Sequence, residues 1–169
     1  NGESLDGISA KCELSTSATK TSNVGKYAIT GSFDIKNYEA TVNSGTLTIK
    51  KAPLKITVNK SEKVYGDENP VFSVSYDGLR NGDLAPIYVN KLQFSTSATK
   101  SSGVGNYMVN AAGGEATNYS LTYSPGILCI NKAPVKVVTN DSSRDYGDDN
   151  PPFACRYSGL KNGETEAVL

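Results

Sequence analysis

Lys51-Ala52-Pro53-Leu54-Lys55-Ile56-Thr57-Val58-Asn59 is the stretch whose reading decides the fold. From Leu54 onward apolar and polar side chains alternate one for one, the period of a strand with a single buried face. Working outward, Phe72, Val74 and Tyr76 alternate with Ser73, Ser75 and Asp77. Leu92 and Phe94 do the same with Lys91, Gln93 and Ser95, and Cys12 and Leu14 hold the matching places in an earlier stretch. Tyr107 and Val109, then Tyr119, Leu121 and Tyr123, then Leu128 and Ile130 continue the pattern. Gly, Asn and Pro separate these runs at spacings of about ten residues, as in small all-β sandwiches and barrels. Leu, Ala, Glu and Lys nowhere cluster at helical spacing over a useful length. The apolar residues around Ile87, after Asn81-Gly82-Asp83, are the one place where a turn of helix is expected.

The alternating runs are copies of one another. Ser15-Thr16-Ser17-Ala18-Thr19-Lys20 recurs letter for letter at Ser95-Thr96-Ser97-Ala98-Thr99-Lys100, and Val24-Gly25-Lys26-Tyr27 returns as Val104-Gly105-Asn106-Tyr107, both 80 residues on. Asn37-Tyr38 returns as Asn118-Tyr119 and Lys51-Ala52-Pro53 as Lys132-Ala133-Pro134, now at 81, which places a one-residue insertion near Ala111 to Glu115. Tyr65-Gly66-Asp67-Glu68-Asn69-Pro70 recurs as Tyr146-Gly147-Asp148-Asp149-Asn150-Pro151, and Gly78-Leu79-Arg80-Asn81-Gly82 as Gly159-Leu160-Lys161-Asn162-Gly163. Self-similarity at a fixed period is the mark of a repeat architecture. If the unit runs between Lys-Ala-Pro words, residues 51–131 are a complete repeat, 1–50 the C-terminal part of one and 132–169 the N-terminal part of the next. The alternative frame is 1–80 and 81–161. Under the first frame, the two incomplete parts would expose strand edges and are expected to support self-association. The opening Asn1-Gly2-Glu3, without Met or a signal pattern, reads as an internal start in a longer protein.

The repeated words have turn chemistry. In Tyr-Gly-Asp-x-Asn-Pro the Gly admits positive φ, Asp and Asn bond their own backbone, and Pro fixes the entry to the next strand. Structural roles therefore fall to Tyr65, Gly66, Asp67, Asn69 and Pro70 and to Tyr146, Gly147, Asp148, Asn150 and Pro151. Gly25 with Tyr27, and Gly105 with Tyr107, resemble the corner in which a Tyr hydroxyl bonds back to the chain in a β-sandwich. Tyr38, Tyr119 and Tyr123 are expected at core or edge positions. Leu128 to Val137 reads as one nearly continuous extended segment stiffened by Pro134, so adjacent units should meet at a restricted angle. The fold expected is all-β: tandem small β-domains in an elongated arrangement. An immunoglobulin-like sandwich is favoured over a β-grasp-like unit with a short helix.

Composition excludes several function classes. Seventeen basic residues balance seventeen acidic ones, which gives no electrostatic basis for nucleic acid or a strongly charged substrate. Apolar runs are only a few residues long, so no membrane insertion is expected. There is no His to activate Ser or Cys as a nucleophile. Asp67/Glu68 and Asp148/Asp149 are neighbours inside a turn word rather than converging carboxylates, and a calcium site would need oxygen ligands at a spacing not present. Gly103-Val104-Gly105 precedes no helix and so cradles no phosphate. The three cysteines, Cys12, Cys129 and Cys155, do not recur between copies; Cys12 and Cys155 take the places of core-facing aliphatics and read as small buried hydrophobes, Cys129 falls on the other face, and one bridge is open if two of them meet in space. No catalytic residue, metal or cofactor is expected.

These words resemble the MBG domain of the Tyr-Gly type. The likeness rests on Tyr65-Gly66-Asp67-x-Asn69-Pro70-x-Phe72, Tyr76-x-Gly78-Leu79-x-Asn81-Gly82-Asp83, Ser95-Thr96-x-Ala98-Thr99, Val104-Gly105-x-Tyr107, Asn118-Tyr119 and Leu128-x-Ile130-x-Lys132-Ala133-Pro134. Asn162-Gly163-Glu164-Thr165-x-Ala167-Val168-Leu169 extends it, while Leu84-Ala85-Pro86-Ile87 departs from the pattern. The resemblance implies tandem copies in large secreted or cell-surface bacterial proteins, often adhesin-like, and no catalytic residues. The function expected is a non-catalytic, stiff, structural or adhesive repeat with neighbouring repeats as its partners; the alternative is a binding module for a host glycan or protein.

Overall fold

The computed structural model describes residues 13–32, 41–84 and 92–169. Among them the chain is all-β, as the alternation predicts. The strands are β1 (Glu13–Thr16), β2 (Gly25–Ser32), β3 (Gly45–Ile49), β4 (Ala52–Val58), β5 (Ser61–Val64), β6 (Val74–Asp77), β7 (Leu92–Thr96), β8 (Gly105–Gly113), β9 (Tyr119–Ser124), β10 (Gly126–Asn131), β11 (Lys136–Thr139) and β12 (Cys155–Ser158). They form sheets in the orders β1-β2-β3, β5-β10-β8-β7, β6-β4-β9 and β11-β12. Two compact units result. One draws on Asn1–Lys55, Tyr76–Lys91 and Gly114–Thr122, the other on Ile56–Ser75, Leu92–Gly113 and Tyr123–Leu169.

The repeat in sequence is a repeat in register. Leu14 lies opposite Gly31 on β1 and β2, and Phe94 opposite Ala111 on β7 and β8. Gly25 lies opposite Ile49 on β2 and β3, and Gly105 opposite Ile130 on β8 and β10. The first pairs are related by 80 residues and the later strands by 81, so the extra residue is absorbed between β8 and β10 without a slip. A slip of one would turn every apolar side chain to the wrong face. The four-stranded sheet adds a pairing that alternation does not announce: β5 runs parallel to β10, with Leu128 opposite Ser61 and Ile130 opposite Lys63.

The core of the second unit is built from Val58, Ala98, Val109, Ala111, Leu128 and Ile130, with Tyr65, Phe72, Val74, Leu92, Phe94 and Tyr107 packed on it. Phe72 and Phe94 meet at 5.7 Å between ring centres with a tilt of 51°, a favourable aromatic geometry. Matched positions in the other copies are not buried to the same degree. Leu128 is 0% exposed and its counterpart Leu47 38%; Ile56 is 0% exposed and its counterpart Val137 55%.

Several expectations need correction. Leu14 is exposed rather than core-facing, because β1 lies on a three-stranded sheet that buries none of its strand residues fully. Cys155 is half-buried rather than core-buried, and it and the equally half-buried Cys129 are free thiols. Alternation along β9 fails at Tyr123, which is exposed at the strand's end and sends its hydroxyl to the Gly113 carbonyl. Strand β6 starts only at Val74, so Phe72 packs on the core from outside the strand. Residues 132–135, between β10 and β11, belong to no strand. Cys12, Tyr38, Ile87 and the opening Asn1-Gly2-Glu3 lie outside the described residues. The segment matching Ile87 in the next copy does form a single 3-10 turn, Glu166–Val168.

Candidate functional site

Two kinds of turn are made by the repeated words. In the Tyr-Gly-Asp word the Asp67 amide donates to the Val64 carbonyl at 3.1 Å, and Gly66 has φ +85°. That combination is the signature of a type II turn, where the third residue must tolerate positive φ. In the Gly-Leu-basic-Asn-Gly-acid word, Asn81 and Gly82 have φ 54° and 76°, and Asn162 and Gly163 have 55° and 74°. The Asp83 amide donates to Arg80 O at 2.9 Å and the Glu164 amide to Lys161 O at 2.9 Å. Two successive positive φ values closed by that bond mark a type I′ turn, for which Asn-Gly is the preferred pair.

In the first unit the Asn-Gly turn borders a cleft of about 320 Å³ whose lining includes Lys20, Asn23, Arg80, Asn81, Asn118 and Tyr119. Several of its polar groups are bonded to one another. The Tyr119 hydroxyl donates to Asp83 Oδ2 at 2.6 Å and accepts the Arg80 amide at 2.9 Å. Asn118 Oδ1 accepts the Val24 amide at 3.0 Å, and Asn118 Nδ2 donates to Asn23 Oδ1 at 2.9 Å. Asn81 Nδ2 donates to the Lys20 carbonyl at 3.3 Å. Tyr119 is buried, so its hydroxyl depends on these partners. Tyr119→Phe should lower stability by about 1.5–3 kcal/mol, the range for a hydrogen bond to a charged group. The check is the shift in urea unfolding midpoint of the full chain.

In the second unit the matching cleft, about 410 Å³, is lined by Tyr65, Val104, Lys132, Leu160, Lys161 and Glu164 among others. Tyr65 donates its hydroxyl to Glu164 Oε1 at 2.5 Å, and Lys161 Nζ pairs with Asp67 Oδ1 at 3.0 Å. The Tyr-Gly-Asp turn is itself braced. Lys63, buried, donates from Nζ to Asp67 O at 3.0 Å and Thr99 O at 2.7 Å, and Asn69 Nδ2 donates to Ala98 O at 2.7 Å. Lys100 pairs with Glu68 at 3.1 Å. The Tyr-Gly-Asp and Ser-Thr-Ser-Ala-Thr words are thus tied together.

The corner tyrosines behave alike in both copies: Tyr27 donates to Asn23 O at 2.8 Å and Tyr107 to Gly103 O at 3.0 Å, with Gly25 and Gly105 half-buried beside them. Pro70 and Pro151 are half-buried at the ends of their words. Tyr146, Gly147, Asp148 and Asn150 are exposed, and Asn150 Oδ1 accepts from Arg144 Nε at 2.9 Å. Sequence reasoning missed Lys63: its counterpart is Arg144, and nothing local signals that a Lys on a short polar strand points inward.

Lys60 bonds Glu62 at 2.7 Å, which holds the Glu62 carboxyl below and the Lys60 ammonium above their usual ranges, but both are in open solvent. The Cys155 thiol bonded to the Tyr157 hydroxyl, at 3.0 Å, holds that phenol above its usual range. Among the described residues no three His, Cys, Asp or Glu side chains gather in a way that could hold a metal ion.

Comparison with curated proteins and with solved structures finds no match. Residues 1–48 and 54–129 match the MBG domain (YGX type), one stretch in each of two copies of the repeat. With most of its length matched, and with Tyr-Gly-Asp standing at 65–67 and again at 146–148, the chain belongs to the MBG domain family of the YGX type.

Proposed function

We propose that the chain is a non-catalytic structural or adhesive repeat of a large bacterial extracellular surface protein, acting as a stiff spacer whose partners are its neighbouring repeats. The observation that carries the reading is how the repeated words use their polar groups. Across the first cleft Tyr119 is bonded to Asp83, and Asn118 to Asn23 and to the Val24 amide. Side chains committed in this way stabilise a joint and leave little to recognise a ligand or transform a substrate. Family membership supports the placement on a secreted or cell-surface protein.

A second reading, a binding module for a host glycan or protein, draws on the same cleft, since Lys20 and Arg80 line it and are exposed. An array of glycans probed with the full chain separates the two. The spacer reading expects no saturable binding at micromolar concentration, where specific recognition would register. Saturable binding that is lost in Arg80→Ala would replace it with the second reading.

A further inference from the structure

Two of the repeated words meet in the second unit. The type II turn Val64–Asp67 is covered by the type I′ turn Lys161–Glu164, which belongs to the following copy of the repeat. Three features make the contact, two of them on Lys161. Tyr65 donates to Glu164, Asp67 pairs with Lys161, and Gly66 is buried against the Lys161 side chain. A Cβ built on Gly66 would lie 2.4 Å from Lys161 Cβ and 2.8 Å from its Cγ, too close for any real contact. The same word at Tyr146-Gly147-Asp148 has no such cover: Tyr146 is fully exposed, and a Cβ on Gly147 would meet nothing within 4 Å. Positive φ is shared, +85° and +98°, so backbone conformation alone does not distinguish the two glycines. What distinguishes them is the turn seated on the first.

We infer that Tyr-Gly-Asp is a docking site for the Gly-Leu-basic-Asn-Gly-acid turn of the next repeat, and that this pairing fixes consecutive repeats in order and orientation. The acceptor is braced independently of the docked turn, since buried Lys63 and half-buried Asn69 hold it to the Ala98–Thr99 loop. The donor is rigid as well, because Asn162 and Gly163 close a turn that presents residues 161 and 164 on one side. Each full repeat carries both halves of the pair, the acceptor at 65–67 and the donor at 78–83 in the middle copy. An interface of that kind is heterologous and passes from one copy to the next without closing. Its partner chemistry is therefore another repeat: a cation at the first position of an Asn-Gly turn and a carboxylate three residues on.

The inference goes beyond the spacer reading and does not depend on it; a glycan bound on the array would displace that reading and leave the docking intact. Hydrogen exchange of the full chain tests it, read at the paired strands β11 and β12 (Val137, Val138, Arg156 and Tyr157), which the docked turn should hold in place. Asp67→Lys should speed their exchange about threefold, and Lys161→Asp by a similar factor, as expected for a half-exposed ion pair turned repulsive. The double reversal, Asp67→Lys with Lys161→Asp, should return exchange to near the unaltered rate. Gly66→Ala should speed it about tenfold or more, because the clash with Lys161 cannot be relieved by solvent. A double reversal that is merely additive overturns the inference. So does a Gly66→Ala effect confined to residues 61–67, which would mean that the glycine serves only its own turn.

Discussion

Leu128→Ala is expected to destabilise the second unit by about 2–5 kcal/mol, while Leu47→Ala, its counterpart one period earlier, is expected to cost less than about 1 kcal/mol. The two residues hold matching places in matching strands, β10 and β3, so propensity and register are held constant. What differs is burial, 0% against 38%. Leu128 belongs to a cluster that includes Val58, Val109 and Ile130, all nearly inaccessible. Its removal leaves a cavity whose walls are strands fixed by ladder hydrogen bonds, and such walls do not collapse readily. Around Leu47 the space is open and water enters at little cost. Urea unfolding followed through amide exchange of β8 and β10 in one case, and β2 and β3 in the other, measures both. Equal losses would mean that the core drawn here around Leu128 is not the source of that unit's stability.

How far the sequence speaks for the structure can be argued from a few residues. Leu54, Ile56 and Val58 announce β4 because a period of two has few other physical meanings, and all three are buried as that period requires. The letter-for-letter words announce equal registers, and Leu14–Gly31 with Phe94–Ala111 supply them. Burial itself is another matter. Leu14 and Leu47 carry the same pattern as Phe94 and Leu128, but period reports which face a residue is on, not whether another layer covers that face. Strand β5 was illegible for a related reason. Ser61-Glu62-Lys63-Val64 has no apolar alternation, its parallel place beside β10 is set by contacts far away in sequence, and its inward residue is a Lys whose charge is satisfied by two carbonyls. The words could be read as turns, since Gly and Asn-Gly state their φ requirements outright. That the Tyr-Gly-Asp turn would receive the Gly-Leu-Lys-Asn-Gly-Glu turn could not, because a contact between positions 65 and 164 leaves no local trace.

Gly78→Ala should be the more damaging of two glycine substitutions in a single word, costing about 2–5 kcal/mol where Gly82→Ala costs about 1–2 kcal/mol. Both residues have positive φ, +105° and +76°, so each pays a similar backbone penalty when a Cβ is added. At Gly82 that Cβ meets nothing within 4 Å. At Gly78 it would stand 2.5 Å from the Pro53 carbonyl oxygen, and backbone on a buried strand next to Leu54 cannot swing away as a side chain would. The same approach is present one period later, where a Cβ on Gly159 would lie 2.5 Å from Pro134 O. This contact explains why the Gly-Leu word and the Lys-Ala-Pro word travel together in the repeat: each is the other's neighbour, and Pro has no amide proton to offer there, so its carbonyl is the group that approaches. Relief would require β4 to move away from the turn, and β4 carries Leu54 and Ile56 into the interior. The measurement is the difference in urea midpoint between the two variants of the full chain, with Gly82→Ala as the reference for strain alone. Equal midpoints would show that the close approach at Pro53 is absorbed without loss, and that the glycine in the Gly-Leu word is there for its φ and nothing more.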